Sequence, residues 1–252
     1  MTGALYAVVS GGLAAMERLE ITANNLANVN TAGFKAQQLL VEALEPGAIQ
    51  TSGGYGTLVS TPGGTVPAIA YRTITDTSQG SVRESGNPLD VALTGPGFFA
   101  VGTPNGERYT RQGQFHLHPT GVLLGPGGHG VLGQNGQEIR LPPGRIDIDA
   151  GGGVSVDDAP VGRLRLVRFD APERLVPEGT ALYAAPADAA PTDVDAGETQ
   201  LVPGSIELAN VDAVQGLLEL IDVARGYEAY MQAMRQVDGT IETAIAQVGG
   251  TN

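Results

Sequence analysis

Residues 4–28 read ALYAVVSGGLAAMERLEITANNLAN, a stretch without proline in which apolar side chains recur every three or four positions. This spacing places one apolar stripe along one face of an α-helix. The following Asn28-Val-Asn-Thr-Ala-Gly33 supplies residues that tolerate left-handed backbone, so the helix is predicted to end there. The predicted stripe consists of Leu5, Val9, Leu13, Met16, Leu19, Ala23 and Leu26.

A second proline-free stretch, residues 212–248, predicts another long helix with Asp212 as its N-cap. We expect the two helices, over residues 4–28 and 213–247, to pack against each other antiparallel. The spacing of the apolar residues resembles a coiled-coil seam. These residues are Leu217, Leu220, Ala224, Tyr227, Met231, Met234, Val237, Ile241, Ala244 and Val248.

The centre of the chain has the pattern of an all-β domain. The apolar run Phe98-Phe-Ala-Val101 is followed by Thr103-Pro-Asn-Gly106, which predicts a hairpin because both Asn105 and Gly106 tolerate positive φ. Asn135-Gly136 predicts another hairpin, and in Leu164–Phe169 arginines alternate with apolar residues as on a half-exposed strand. Arg163, Arg165 and Arg168 are expected to be exposed or paired with acidic residues.

The predicted fold is therefore α+β, with a discontinuous coiled-coil-like domain of N- and C-terminal helices and a central all-β domain. The expected helical assembly domain covers residues 1–35 and 211–252. Residues 36–75 are expected to form an extended linker or arm, and residues 76–210 the β-rich domain.

Composition argues against several classes of function. The 252 residues carry a net charge of −13 with a single lysine, so no basic surface is available for nucleic acid or for an anionic membrane. There is no cysteine, which excludes disulfides, thiol catalysis and thiolate metal sites. No apolar run approaches a membrane span, and the first residues do not resemble a cleavable signal peptide, so we expect no lipid insertion and another export route.

The motifs that suggest chemistry have simpler structural explanations. Gly125-Pro-Gly-Gly-His-Gly130 matches a dinucleotide fingerprint, but strand and turn residues follow it where that fold needs a helix. No zinc-protease motif accompanies the three histidines, and the aspartates lack calcium-loop spacing. We therefore predict no catalytic residue, no cofactor and no metal. The residues considered were His116, His118 and His129 for zinc, and Asp147, Asp149, Asp157 and Asp158 for calcium.

Several segments together resemble the flagellar rod, hook and hook-associated proteins. The N-terminal signature is ANNLANVNTAGFK at residues 23–35, with Ala32 where most members have proline. Near the other end, Ala209 stands where serine is usual. The remaining similar segments are Asp76–Ser81, Gly86–Leu93, Gly97–Val101, Tyr109–Gly113, Gly204–Val211 and Arg225–Glu228.

This resemblance implies a non-enzymatic structural subunit of the bacterial flagellar basal body, a motility protein that forms homo- and hetero-oligomers. Its helices would line the inner tube of the rod, between the proximal and the distal rod. The implied partners are copies of itself, the proximal and distal rod proteins and, during transit, the flagellar type III export apparatus. The chain is too long for the short proximal rod proteins and too short for the hook protein, which leaves two closely related rod paralogues.

The helical residues and the signature motif are the expected assembly interface. Asn24 and Asn28 lie one turn apart, so their amides are placed to hydrogen-bond across a helix interface. The alternative is that these asparagines only cap the helix end. The full predicted interface is Leu5, Val9, Met16, Leu19, Asn24, Asn25, Leu26, Asn28, Gly33, Phe34, Leu217, Leu220, Ala224, Tyr227, Met231, Met234, Val237, Ile241 and Val248.

Two other classes of protein were weighed against this one. A secreted β-rich enzyme with coiled-coil ends would need a buried polar constellation in a deep pocket, and no motif indicates one. A carbohydrate- or peptidoglycan-binding module would need stacking aromatics. The chain has no tryptophan, and aromatic residues make up 5% of it.

Overall fold

The computed structural model describes residues 2–44, 68–194 and 197–249. The chain divides into two compact units. The first comprises residues 1–26, 37–74 and 212–252, and the second comprises residues 27–36 and 75–211. The second is called the β-rich unit below.

Two long helices form at the positions that the apolar spacing predicts. Helix α1 spans Thr2–Ala27 and helix α2 spans Ala213–Gly249. Asp212 caps α2, because its Oδ1 accepts hydrogen bonds from the amides of Val214 at 2.8 Å and Gln215 at 3.0 Å. The predicted helices and the N-cap are therefore confirmed.

The described strands are short, and all the pairs with a described register are antiparallel. Together with the two helices they confirm the α+β class. The strands are β1 (Gln37–Leu44), β2 (Ala68–Thr75), β3 (Val82–Glu84), β4 (Val91–Thr94), β5 (Phe98–Thr103), β6 (Gly106–Thr110), β7 (His116–Leu117), β8 (Leu123–Leu124), β9 (Gly130–Val131), β10 (Ile146–Ile148), β11 (Gly153–Val156), β12 (Ala159–Arg163), β13 (Leu166–Arg168), β14 (Val176–Glu178), β15 (Leu182–Ala184), β16 (Thr192–Asp193), β17 (Gln200–Pro203) and β18 (Ser205–Glu207).

Strand β5 organises the β-rich unit because both of its faces are buried. It pairs with β6 along one edge and with β13 and β9 along the other. Phe99 and Val101 enter one apolar cluster together with Phe115 and Leu123. Residues on the opposite face enter a second cluster, which explains why the run is apolar without alternation. The members of the second cluster are Phe98, Ala100, Tyr109, Leu132, Val167, Phe169, Leu175 and Tyr183.

The hairpin after β5 forms as predicted. Thr103 pairs with Gly106, so the loop consists of Pro104 and Asn105. Of the residues in this turn only Gly106 has positive φ, at 102°. Gly106 therefore adopts the positive φ that both Asn105 and Gly106 tolerate, and the predicted hairpin is confirmed.

The hairpin predicted at Asn135-Gly136 is confirmed. Leu132 pairs with Glu138 and Gly136 has a φ of 72°. The prediction for the arginines is also confirmed. Arg163 is exposed, Arg165 pairs with Glu107 at 2.9 Å, and Arg168 lies 3.4 Å from Glu198.

Residues 36–75, the expected linker or arm, contain a two-stranded sheet of β1 and β2. Residues 45–67 of this predicted segment lie outside the described residues. The predicted domain boundaries at residues 35, 75 and 210 remain a prediction. Among the described residues, neither helix combines the length and the apolar character that crossing a bilayer requires.

Candidate functional site

Helices α1 and α2 contact each other at three points along their length. The residue numbers fall along α1 as they rise along α2, so the helices run antiparallel. Leu26 packs against Gly216, where an added Cβ would lie 3.7 Å from Leu26 Cδ1. Further along, Arg18 forms an ion pair of 2.8 Å with Glu219. At the third point Gly11 faces the ring of Tyr230, where a Cβ would come within 2.8 Å of Cε1. The predicted antiparallel packing is therefore confirmed.

Helix α2 leaves a second apolar face exposed. The exposed fractions are 68% for Val214, 50% for Leu217, 61% for Leu218 and 48% for Ile221. Their spacing of three, one and three residues places them in one stripe. At 100° per residue this stripe lies on the side of α2 opposite to the α1-facing Gly216 and Tyr230. We call Val214, Leu217, Leu218 and Ile221 the exposed stripe.

Sequence analysis found only part of this surface. The predicted seam includes Leu217 but not Val214, Leu218 or Ile221, because it lies along one of the two apolar sides of α2. The signal was present in the sequence as a second series of apolar residues with helical spacing.

The other predicted helix residues fall into three groups. Met16 on α1 is 45% exposed. The side chains of Leu5, Val9, Val237, Ile241 and Val248 lie outside the described part of the structure. The remaining predicted residues are half-buried, namely Leu19, Leu26, Leu220, Ala224, Tyr227, Met231 and Met234.

Two asparagines of the signature motif, Asn25 and Asn28, form hydrogen bonds within the chain. Asn25 binds both polar groups of the Gln37 backbone, donating from Nδ2 to the carbonyl at 2.8 Å and accepting from the amide at 2.9 Å. Asn28 is buried, and its Oδ1 accepts a hydrogen bond from Thr31 Oγ1 at 3.2 Å. Asn24 is exposed. These contacts favour a turn-stabilising role for Asn25 and Asn28, and a role in assembly stays a prediction.

Gly33 and Phe34 lie inside the β-rich unit. Phe34 is 2% exposed. Gly33 has a φ of 67° and donates its amide to Glu207 O at 2.8 Å. Both residues therefore stabilise the unit itself and present almost no surface to another subunit.

Beside them lies a buried ionic cluster that sequence analysis missed. The side chains of Lys35 and Glu207 are both fully buried, and Lys35 Nζ donates to Glu207 Oε1 at 2.6 Å. Lys35 also donates to Ser78 O at 2.6 Å, and Glu207 Oε1 accepts the amide of Gly80 at 2.9 Å. Burial lowers the pKa of Lys35, while the Glu207 carboxylate acts in the opposite direction.

Arg111 completes the cluster. Its Nη1 lies 3.6 Å from Glu207 Oε2, its Nη2 donates to Gly95 O at 2.9 Å, and its guanidinium covers the ring of Phe98 at 5.2 Å. Burial lowers the pKa of Arg111 and raises the pKa of Tyr183 to about 12. The only sequence signal for this cluster was a single lysine after Gly-Phe, and its partner is 172 residues away.

The motifs that suggested chemistry form turns. Pro126–Gly128 is a short 3-10 turn followed by β9, so the glycine-rich segment has no helix after it. Asp157 and Asp158 both have positive φ and form the two-residue loop between β11 and β12. Asp149 Oδ1 accepts the amides of Gly151 and Gly153. Within residues 2–44, 68–194 and 197–249, no three potential metal-binding side chains lie together.

Three family profiles match the chain in order along its length. One described as "Flagella basal body rod protein" matches residues 5–35. Another, described as "Flagellar hook protein FlgE/F/G D1 domain", matches residues 92–156. The third, described as "Flagellar basal body rod FlgEFG protein C-terminal", matches residues 202–247.

Full-length relatives carry the same description. The chain is 32% identical to the flagellar basal-body rod protein FlgF of Caulobacter vibrioides, over 100% of both chains. It is 32% identical to FlgF of Escherichia coli over 94% of this chain and 95% of the relative. Identity to the rod protein FlgG of Bacillus subtilis is 30%, over 97% of this chain and 98% of the relative.

Two motifs of this sequence, Asp76-Thr-Ser-Gln-Gly80 and Pro160-Val-Gly-Arg-Leu-Arg-Leu166, resemble FlgF in particular, with FlgG second. The relatives confirm a resemblance to FlgF. The order of the three matched profiles and the full-length identities agree with the helices at both ends and the β-rich centre. The chain belongs to the flagellar basal-body rod protein family.

Proposed function

We propose that this chain is a non-catalytic structural subunit of the flagellar rod and that the exposed stripe of α2 binds neighbouring subunits. The observation that carries the proposal is an antiparallel helix pair that still exposes four large apolar side chains in one line. Apolar rows of this kind on a helix are contact surfaces in assemblies.

The free energy gained by burying the exposed stripe is of the size expected for a contact between subunits of a polymer. Burying the exposed half of one valine, leucine or isoleucine side chain contributes roughly 1 kcal/mol. Four such side chains contribute a few kcal/mol per interface. Because each subunit of a helical polymer has several neighbours, contacts of this size add up to a stable assembly.

The proposed partners are copies of this chain and the proximal and distal rod proteins, with the subunit lying between those two parts of the rod. The flagellar type III apparatus is the proposed export route. Similarity to Caulobacter vibrioides FlgF over the whole chain favours the FlgF position. Similarity to Bacillus subtilis FlgG makes the distal rod the second candidate. Cryo-microscopy of isolated basal bodies, with this chain located along the axis, separates the two positions.

The interface proposal is tested with a matched pair of variants. Leu218→Asp places a charge in the exposed stripe, and Gln215→Asp places the same charge three residues away on a polar, exposed position of α2. We expect Leu218→Asp to reduce incorporation into basal bodies and swimming about tenfold or more, since the charge would have to be desolvated in the interface.

Gln215→Asp should behave like the unchanged chain. The melting temperatures of both purified variants check that the β-rich unit folds as in the unchanged chain. Full incorporation of Leu218→Asp into basal bodies would show that the exposed stripe is not an assembly surface.

A further inference from the structure

The polypeptide enters and leaves the β-rich unit through three segments that are bound together. These segments are residues 27–36, 75–81 and 205–211. Gly33 donates to Glu207 O at 2.8 Å, and the amide of Asp76 donates to Ala36 O at 2.8 Å. The first segment therefore lies against both of the others.

Two side chains hold all three segments. Lys35 joins Glu207 to Ser78 O, as described above. Asn210 accepts the amide of Ala36 on Oδ1 at 2.7 Å and donates from Nδ2 to Asp76 O at 2.9 Å. The polar groups of Lys35 and Ala36 are thus bound by residues that come from near the other end of the chain.

The residues around the first segment restrict which residue types fit at three consecutive positions, 33, 34 and 35. A Cβ on Gly33 would overlap the backbone of Arg111 and Gln112. Phe34 is buried, with 2% of its surface exposed, and the Lys35 ammonium is the hydrogen-bonding partner of Glu207. Arg111 does not take over that role, because its Nη1 is 3.6 Å from the carboxylate, beyond hydrogen-bond distance.

We propose that the β-rich unit contains a docking slot for an extended Gly-Phe-Lys peptide, filled here by the chain's own residues 31–36, and that Lys35 is its recognition residue. Lysine and glutamate are almost never fully buried without a partner, so an empty slot leaves Glu207 without a hydrogen-bonded cation and with Arg111 at 3.6 Å as its remaining counter-charge. The unit can therefore be completed only when residues 35 and 207 are both present. The slot does not depend on the proposed function in the rod.

The test uses the full chain with two substitutions. Lys35→Met keeps the size of the side chain but removes the cation that is hydrogen-bonded to the Glu207 carboxylate. The double variant Lys35→Met/Glu207→Gln removes the carboxylate charge, keeps an acceptor for the amide of Gly80 and leaves Arg111 bound to Gly95 O. Amide exchange at Gly33 and Gly80 reports on the slot, because both amides are bound by Glu207.

We expect exchange at both amides to accelerate about a hundredfold or more in Lys35→Met. The double variant should recover part of this loss, which a simple packing defect would not do. If Lys35→Met does not fold, amide exchange in the double variant provides the test of the slot. A folded double variant with protected amides supports the slot, and a double variant no better than Lys35→Met overturns it.

A synthetic peptide of residues 28–36 gives an independent measurement by calorimetry. It should bind the Lys35→Met chain saturably and slow exchange at Gly80, because the native segment competes with the altered one. It should not bind the unchanged chain, whose slot is filled. Equal binding of a peptide that carries Lys35→Gln would overturn the role of Lys35.

Discussion

Gly33 occupies a position where two separate constraints exclude other residues. Its φ of 67° is the left-handed conformation, which costs residues with a Cβ roughly 1–2 kcal/mol. A Cβ would also meet the backbone of Arg111 and Gln112, which cannot move aside as a flexible side chain can. The sequence showed that a turn follows α1, but it did not show that this glycine is packed against a distant segment.

Gly33→Ala is therefore expected to lower the free energy of unfolding by about 3 kcal/mol or more. Gly86→Ala is the matched control, since Gly86 has a φ of 74° and nothing within 4 Å of its would-be Cβ. That control should lose only ~1 kcal/mol. Urea unfolding of the two variants measures the difference. Equal losses would mean that the contact with residues 111–112 contributes nothing.

Helix α2 has two apolar sides with different roles. One side carries Gly216, Val223 and Tyr230, which are spaced seven residues apart. This side makes contacts with α1. The exposed stripe lies opposite and has no partner among the described residues of this chain. Periodicity predicted the helix, because that depends on local spacing. It did not predict which side α1 covers, because that depends on the packing of another segment.

Both helices are expected to become fully ordered only on assembly. An isolated helix pair buries little apolar surface, and helices without tertiary contacts are marginally stable. We expect fast amide exchange of residues 4–28 and 213–247 in the soluble monomer and strong protection in assembled rods. The amides of β5 serve as an internal control that stays protected in both states. Strong protection of residues 213–247 in a verified monomer would contradict this expectation.

On the scale of the whole molecule, the chain separates a helical unit from a β-rich unit that holds both large apolar clusters. Residues 27–36 belong to the β-rich unit although they directly follow α1. The contacts of Gly33, Lys35 and Ala36 with residues 207–210 explain why the segment groups with the strands.

Deleting residues 1–26 is expected to leave the melting temperature of the β-rich unit unchanged, because residues 27–36 and both apolar clusters remain. The same deletion should abolish incorporation into the rod, since α2 loses its helical partner. Calorimetry of the purified chain and its amount in isolated basal bodies measure the two effects. A large drop in the melting temperature would show that α1 stabilises the β-rich unit directly.

The sequence by itself determined the two helices, the N-cap at Asp212, the hairpins and the family, because each depends on residues close together in the chain. Tertiary structure alone decided which apolar face of α2 stays exposed and why the single lysine is buried. Lys35 looks like an ordinary surface cation after a turn, and its partner lies 172 residues away. A buried charge is stable only beside its counter-charge, and no local pattern encodes that pairing.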